Sequence, residues 1–397
     1  MELGCPENLI IHYKDYLGKY VRNKKIYHSN IKSENKAKLL IISNELGYHG
    51  GSIAAIKSAQ CAISLGYDVT IASSEGDSRI IKKLNDYGIN VVIQIGVSNA
   101  DWQDLYWVNE YDKIVINTFP MINCAIAISQ YRKTIVWLHE SADVYDLMGY
   151  WHDTIQRGIN NTNISIYYVT KNAYRNFCCH YSTNGKFNSL LPPVEDCFDR
   201  IPVDFTNKEL TYAVIATICE NKRQDFYINT IIRYNKIYGA MHLIIGKIGE
   251  SAYSKRVEEL ASNYKSINLM GEKTLDELEQ IWNKIDIVVV PSYAETFSLV
   301  AAEAMMRSKI CIVSNNCGIS DYIVNGENGF VFECDNMAEL AEKMDWCEKN
   351  RSSLNVIGRN ARNTYENSFS DKAFILGLKN MLNPNCQSLS DDWKNYV

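Results

Sequence analysis

The sequence predicts an α/β protein built from two doubly wound, Rossmann-like parallel sheets. Three observations predict it. Short apolar, β-branched runs alternate with longer helical stretches from residue 38 onward. The alternation breaks at Leu191-Pro192-Pro193 and restarts near Tyr212. The length, 397 residues, suits two domains of ordinary size.

In the first half, Lys38–Ser43 (KLLIIS) reads as a strand. A Gly-containing loop and a helix over 52–65 follow it. Tyr67–Ala72, Asn90–Gln94, Lys113–Asn117, Thr134–Leu138 and Ile164–Val169 are the next strands, with a helix over Ser78–Tyr87. Such β-α alternation predicts a parallel sheet covered by helices on both faces. The polar stretch from Leu191 to Asn207 reads as a linker. Strands resume at Tyr212–Thr217, His242–Ile245, Ser266–Met270, Asp286–Val290 and Lys309–Val313, with helices at Leu275–Trp282 and Met337–Lys349. The expected organisation is an extension over 1–36, a first domain over 37–203 and a second over 204–370. The last segment, 371–397, is expected to cross back to the first domain. Open parallel sheets bind ligands at the carboxyl ends of their strands, so two facing sheets would share one central cleft.

Composition narrows the function. Hydrophobic residues at 46% and charged residues at 22% are ordinary for a globular protein. The first 200 residues carry as many basic as acidic side chains, so the net charge of −5 lies wholly in the second half. No basic stripe suggests nucleic acid. Residues 1–36 are mildly basic and read as a solvated surface helix; contact with anionic lipid is the weaker alternative. The start lacks the apolar core of a signal peptide, and no apolar run reaches about 18 residues. The twelve cysteines lack metal-ligand spacing and read as small buried apolar residues in a reducing cytosol. A cytoplasmic protein is expected, with the inner membrane face as its other expected place.

The chemistry concentrates after the strand Asp286–Val290. There Glu295 and Glu303 stand eight positions apart in PSYAETFSLVAAEAM, one in a loop and one inside an apolar helix. A carboxylate such as Glu303 is costly to bury unless hydrogen-bonded. Ribose hydroxyls would satisfy it; so would a structural Arg or Lys. The helix start near Phe297, Ser298, Leu299 and Val300 offers free N–H groups to an anion.

This segment resembles the E-x7-E signature of glycosyltransferase family 4, the retaining, nucleotide-sugar-dependent transferases of GT-B fold. The resemblance runs from about residue 38 to 380. CGISDYIVNGENGFVF resembles the family's G-x-P-E-I-I-x-x-G-x-N-G-x-L pattern through Gly318, Asp321, Gly326, Asn328 and Gly329, with Ser320 for the usual Pro and Asp321 for Glu. As bare chemistry, Gly326 and Asn328-Gly329 are turn residues.

The resemblance implies roles. Glu303 would hold the donor ribose and Glu295 would sit by the transferred sugar. Phe297, Ser298, Leu299 and Val300 would give backbone N–H groups to sugar and phosphate. Thr296 and Ser298 stand where the family usually has Gly. ATICENKRQD resembles the family's phosphate loop, with Lys222 at the phosphate-binding Lys, but Thr217 occupies the family's Arg position. A single cation then faces a diphosphate unless Arg223 or the helix start compensates. Gly50-Gly51 would lie against the donor phosphates, and Gly246, Met270 and Gly271 near the nucleotide. His139, after Thr134–Leu138, would contact the donor sugar, with Glu140 orienting it; His49 is a weaker candidate.

The implied reaction is transfer of a sugar from a nucleoside diphosphate sugar, UDP rather than GDP, to a glycan or lipid-linked acceptor. Polysaccharide assembly is the expected setting. No cofactor is expected and, with no D-x-D after a strand, no metal. The alternatives are a sugar-nucleotide epimerase or phosphorylase of the same fold and a non-catalytic sugar-nucleotide-binding subunit. A dehydrogenase fits less well: Glu75 stands 24 residues past Gly51, but G-x-G-x-x-G is absent.

Overall fold

The computed structural model describes residues 24–31, 37–47, 50–161, 163–183, 185, 187–198, 205–206, 209–234 and 241–384. His49, most of the 1–36 extension and residues 385–397 lie outside them. The chain forms two compact units. One comprises 1–168, 178–190 and 372–397; the other comprises 169–177 and 191–371.

The first unit holds seven strands: β1 (Lys24–Tyr27), β2 (Ala37–Ser43), β3 (Tyr67–Ser73), β4 (Asn90–Gln94), β5 (Lys113–Asn117), β6 (Thr134–Leu138) and β7 (Ile164–Tyr168). Their order is β1-β4-β3-β2-β5-β6-β7. All pairings are parallel except β1 with β4, which is antiparallel. The surface helix expected over 1–36 is therefore corrected over Lys24–Tyr27, which is an edge strand. Helix α1 (Gly50–Ser64) buries its small face, Ala54, Ala55, Ala59 and Ala62. Helix α2 (Ser78–Asp86) starts at Asp77, whose carboxylate accepts the Arg79 N–H. Helices α3 (Ile122–Ser129), α4 (Ala142–Leu147) and α5 (His152–Ile159) follow. Helix α6 (Lys171–His180) contributes its first residues to the second unit.

The second unit has six strands, all parallel: β8 (Thr211–Ile215), β9 (Met241–Ile245), β10 (Ile267–Gly271), β11 (Ile287–Val290), β12 (Ile310–Ser314) and β13 (Phe330–Phe332). Their order is β10-β9-β8-β11-β12-β13. Strand β11 shows why an unbroken apolar run is needed. Ile287 and Val289 enter one core cluster, Val288 and Val290 the other. Each is nearly fully buried, contributing about 1.5–3 kcal/mol apiece. Helices α7 (Gln224–Arg233), α8 (Ala252–Ser262), α9 (Leu275–Trp282), α10 (Leu299–Met306), α11 (Met337–Lys349) and α12 (Arg351–Ser368) cover both faces. A Thr274–Glu277 capping box starts α9.

The order of strands reverses at one place in each sheet. Chain order runs outward from β2 through β3 to β4, then resumes on the other side with β5. In the second sheet it runs from β8 to β10, then resumes with β11. Each reversal opens a crevice at the carboxyl strand ends, where open α/β sheets take ligands.

Residues 191–198 are tied to α12. The Val194 N–H donates to Phe369 O at 2.8 Å and Tyr365 Oη donates to Val194 O at 2.7 Å. The buried Arg362 binds Asp196, Glu366 and Met306 O together. Helix α13 (Asp371–Leu382) belongs from Lys372 onward to the first unit, with Phe374 against Trp137 at 5.9 Å.

No disulfide joins any two of the ten described cysteines. Cys61, Cys124, Cys311, Cys317 and Cys347 are buried as expected, but Cys178, Cys179 and Cys197 are exposed, which corrects the reading of them all as core residues. Among the described residues no helix is long and apolar enough to cross a membrane.

Arg362→Ala removes the guanidinium bonds to Asp196, Glu366 and Met306 O and the stacking of that group over Tyr365 and Phe198. The second unit should lose roughly 2–4 kcal/mol, read as a lower urea midpoint with unchanged slope.

Candidate functional site

In the second unit the crevice lies between the ends of β8 and β11. After β8 the chain makes a short turn, Glu220–Lys222, and enters α7 through Arg223. Asn221 fastens this turn to the loop after β11. Its Nδ2 donates to Ala294 O at 2.9 Å, its Oδ1 accepts from Ala294 N at 3.1 Å, and its carbonyl accepts from Tyr293 N at 2.8 Å. The fastening sets Lys222 beside Glu295, with Nζ 3.1 Å from Oε2. The pair is close, yet Glu295 Oε2 receives no well-directed hydrogen bond.

The Glu295 backbone is pinned from the other side. Its N–H donates to Asn316 O and its carbonyl accepts from Gly318 N at 2.8 Å. Asn172 Nδ2 donates to both Glu295 O and Asn316 O, and Thr170 Oγ1 donates to Thr296 O at 2.6 Å. Gly318 has no room for a side chain: a Cβ there would lie 2.0 Å from Thr296 O. Asn328 binds Val324 N, Tyr322 O and Thr364 Oγ1, so Asn328-Gly329 builds a turn, as its bare chemistry suggested.

Helix α10 begins at Ser298, which has φ 98° and ψ 90°. Only Gly adopts positive φ without penalty; for Ser the cost is about 1–3 kcal/mol. The Ser298 hydroxyl is buried, caps nothing and has no hydrogen-bond partner among the described residues. Leaving it so costs about 1–3 kcal/mol more. Phe297 is buried edge-on against Phe369, and its carbonyl accepts from Ile319 N. Leu299 and Val300 are partly exposed at the helix mouth.

Glu303 lies one turn further along α10. Its carboxylate has no hydrogen bond or ion pair with a described side chain. The neighbouring cation, Arg307, pairs with Glu279 and stacks over Trp282 at 4.7 Å. Burial raises the Glu303 pKa, and the Arg307 charge offsets only part of that rise. The structural alternative, a buried Arg or Lys locked to this carboxylate, is absent among the described residues.

Other candidates divide. Gly246 is sterically obligatory, because a Cβ would lie 1.9 Å from Ala216 O. Its N–H donates to Gly271 O at 3.0 Å, joining the ends of β9 and β10; Met270 packs on the core. Thr217 is exposed, with its carbonyl taken by Gln224 Nε2. Arg223 does not stand free to replace the missing cation. It adopts φ 54°, pairs with Asp335 and lies over Phe226 at 4.7 Å.

In the first unit the crevice between β2 and β5 gathers Ser43, Gly51, Asn117 and His139. Gly50 and Gly51 open α1. Asn117 Nδ2 donates to Gly51 O at 2.9 Å and Ser43 Oγ at 3.1 Å, and Oδ1 meets His139 Nε2 at 2.9 Å. A carbonyl can only accept, so Gly51 O fixes the amide orientation. Nε2 therefore carries the His139 proton, and Nδ1 keeps its lone pair. Burial holds the imidazole pKa down at about 3, so it is neutral. Glu140 does not orient this ring, which corrects that expectation. Its carboxylate instead accepts from Phe119 N at 2.8 Å and His139 N at 2.9 Å. Asn117, at the end of the neighbouring strand β5, does the orienting.

Sequence reasoning passed over Asn117, Asn172, Asn221, Asn316 and Thr170. A signal existed for Asn117 and Ser43: each is a polar residue ending an apolar strand. The others join loops far apart in sequence and leave no local pattern.

The architecture defines the GT-B fold. The Anabaena protein HepE, solved with UDP-glucose, superposes with a TM-score of 0.70 at 16% identity over 88% of this chain and 100% of that one. Residues 199–364 match the family model described as glycosyl transferases group 1. An uncharacterized glycosyltransferase of Methanocaldococcus jannaschii is 30% identical over 134 residues, 33% of this chain and 38% of that protein. The capsular polysaccharide biosynthesis glycosyltransferase CapM of Staphylococcus aureus is 26% identical over 184 residues, 38% of this chain and 48% of CapM. The matched stretch spans less than half the length of these two relatives.

Burial lifts the Glu140 pKa to about 7 against an ordinary 4.5. Between these values the folded state binds the proton that the unfolded state releases, so this group's contribution falls as pH rises. His139, depressed to about 3, acts oppositely below its ordinary 6.5. The two nearly cancel in the wild type, and Glu140→Gln unmasks them. The stability difference between variant and wild type should move in the variant's favour by on the order of 3 kcal/mol from pH 4.5 to 7. Parallel unfolding curves across that range read it; a constant difference would show that the carboxyl titrates normally.

Proposed function

We propose that the protein is a retaining glycosyltransferase that moves a sugar from a nucleoside diphosphate sugar, UDP rather than GDP, to a glycan or lipid-linked acceptor. The observation that carries this reading is Glu303: a desolvated carboxylate without a hydrogen-bond partner among the described residues, on the helix whose start adjoins Lys222 and Glu295. Two ribose hydroxyls supply the donors that the carboxylate lacks. The group 1 match over 199–364 and the naming of relatives as glycosyltransferases support the same reaction class. HepE, a protein of the same fold solved with UDP-glucose, supports the nucleotide.

In this reading Lys222 and the first N–H groups of α10 hold the diphosphate. They supply the positive charge that a metal would otherwise bring. Met270 and Gly271 offer backbone groups to the base, and Gly246 keeps that edge narrow. Glu295 stands by the transferred sugar. On the first unit, Gly50 and Gly51 give α1 an open, anion-accepting start. The His139 Nδ1 lone pair accepts a hydrogen bond from a sugar hydroxyl, with Asn117 holding the ring.

The acceptor hydroxyl oxygen attacks the anomeric carbon from the face the leaving group departs. The bond from that carbon to the phosphate oxygen breaks, and the departing phosphate takes the hydroxyl proton. The configuration is kept, and the protein's work is positioning and charge stabilisation of the leaving diphosphate. An acceptor at a membrane surface suits a cytoplasmic protein working at the inner face.

Thermal unfolding with UDP and with GDP tests the reading: UDP should raise the midpoint more. Equal indifference to both nucleotides would sink it. Glu303→Ala should weaken UDP binding about 10- to 100-fold, as expected for losing hydrogen bonds to a charged group. Lys222→Ala should cut transfer on the order of 100-fold or more; unchanged turnover would remove Lys222 from the phosphate site.

Glu295→Gln separates binding from turnover. In the free protein the Glu295 carboxylate competes for Lys222, so its neutralisation should tighten UDP binding about threefold to tenfold while transfer falls. Weaker UDP binding in this variant would mean that the carboxylate supports the nucleotide instead of competing with it.

A further inference from the structure

We propose that the Ser298 side chain is a diphosphate ligand: its hydroxyl donates a hydrogen bond to an oxygen of the β-phosphate, the one that leaves with the nucleotide. This deepens the reading above and rests on it. A serine at this backbone geometry has no structural justification within the unit. At the start of a helix a serine normally accepts an N–H two or three residues on; Ser298 caps nothing. Its hydroxyl is buried with no hydrogen-bond partner among the described residues, and the residue as a whole is 2% exposed. Its φ of 98° belongs to glycine. A glycine would remove both penalties together.

The site's charge supplies the reason to keep a hydroxyl. Thr217 provides no cation, and Arg223 is committed to Asp335. Lys222 is the cation this turn presents, and in the free protein it is shared with Glu295. The first N–H groups of α10, from Leu299 to Ala301, follow Ser298 and receive no side-chain cap from it. A hydroxyl at the same mouth adds a donor of the right sign, and rotation about χ1 re-aims it without moving the backbone. The hydroxyl remains unpartnered until the anion arrives, which is how a group retained for binding at the expense of stability behaves.

The test uses the full chain with Ser298→Ala and Ser298→Gly, measuring thermal midpoints without nucleotide and calorimetric affinities for UDP and UMP. Both variants should be at least as stable as the wild type, with glycine highest. Both should bind UDP about 5- to 20-fold more weakly, with UMP affinity nearly unchanged because it lacks the β-phosphate. Wild-type UDP affinity in Ser298→Ala overturns the proposal. So does equal weakening toward UDP and UMP, which marks a distorted site, or a lower midpoint in both variants, which marks a structural hydroxyl. A wild-type chain that binds no UDP strikes at the functional reading itself, and so is told apart from failure of the serine alone.

Discussion

Asn221 holds two loops whose bonded residues, Asn221 and Ala294, are 73 positions apart, and the second unit's candidate site depends on that fastening. Its amide and carbonyl satisfy the backbone of Tyr293 and Ala294. Those bonds bring the turn that carries Lys222 beside the loop that carries Glu295, and the two side chains meet at 3.1 Å. The contact is an ion pair of modest exposure without ideal direction, poorly suited to stabilising a fold. It is better suited to exchange: an ammonium weakly held by one anion can be transferred to a stronger one. Asn172 and the Asn316 carbonyl brace the Glu295 backbone and Thr170 the next carbonyl, that of Thr296, leaving the Glu295 side chain as the adjustable part.

The first unit uses the same device with different chemistry. Asn117 closes a three-way junction between β2, α1 and β6, and the direction of its amide dictates which imidazole nitrogen bears the proton. Glu140, next in sequence, serves the backbone instead, receiving N–H groups from Phe119 and His139. Two buried titratable groups thus stand side by side, one pushed up and one down, both biased toward their neutral forms.

The fold was legible because its determinants are local. Apolar runs such as IVVV after Asp286 can only be strands buried on both faces, and their spacing leaves room for a covering helix and little else. The Glu295–Glu303 segment was legible for a related reason: an acid among alanines and methionines is anomalous wherever it falls. Strand β1 was not legible, since KKIY is short, charged and paired at an edge. Nor was Arg223's commitment to Asp335, 112 positions away, or the role of Glu140, which adjacency to His139 made easy to misassign. Side chains that join distant loops carry no periodicity, and asparagine in a loop is too common to single out.

Parallel sheets put all of their chemistry on one edge. In the second unit every strand runs the same way, so the segments after β8, β9, β10, β11 and β12 gather together, while the turns leading into the strands, such as Asn263–Lys265 before β10, lie opposite. The two edges should age differently as the gene drifts. Lengthened loops, fused tags and cut sites can accumulate on the entry side without touching Lys222, Glu295 or Gly246. On the exit side even one added carbon at Gly246 or Gly318 collides with backbone. The protein therefore offers one face open to engineering and another closed to it.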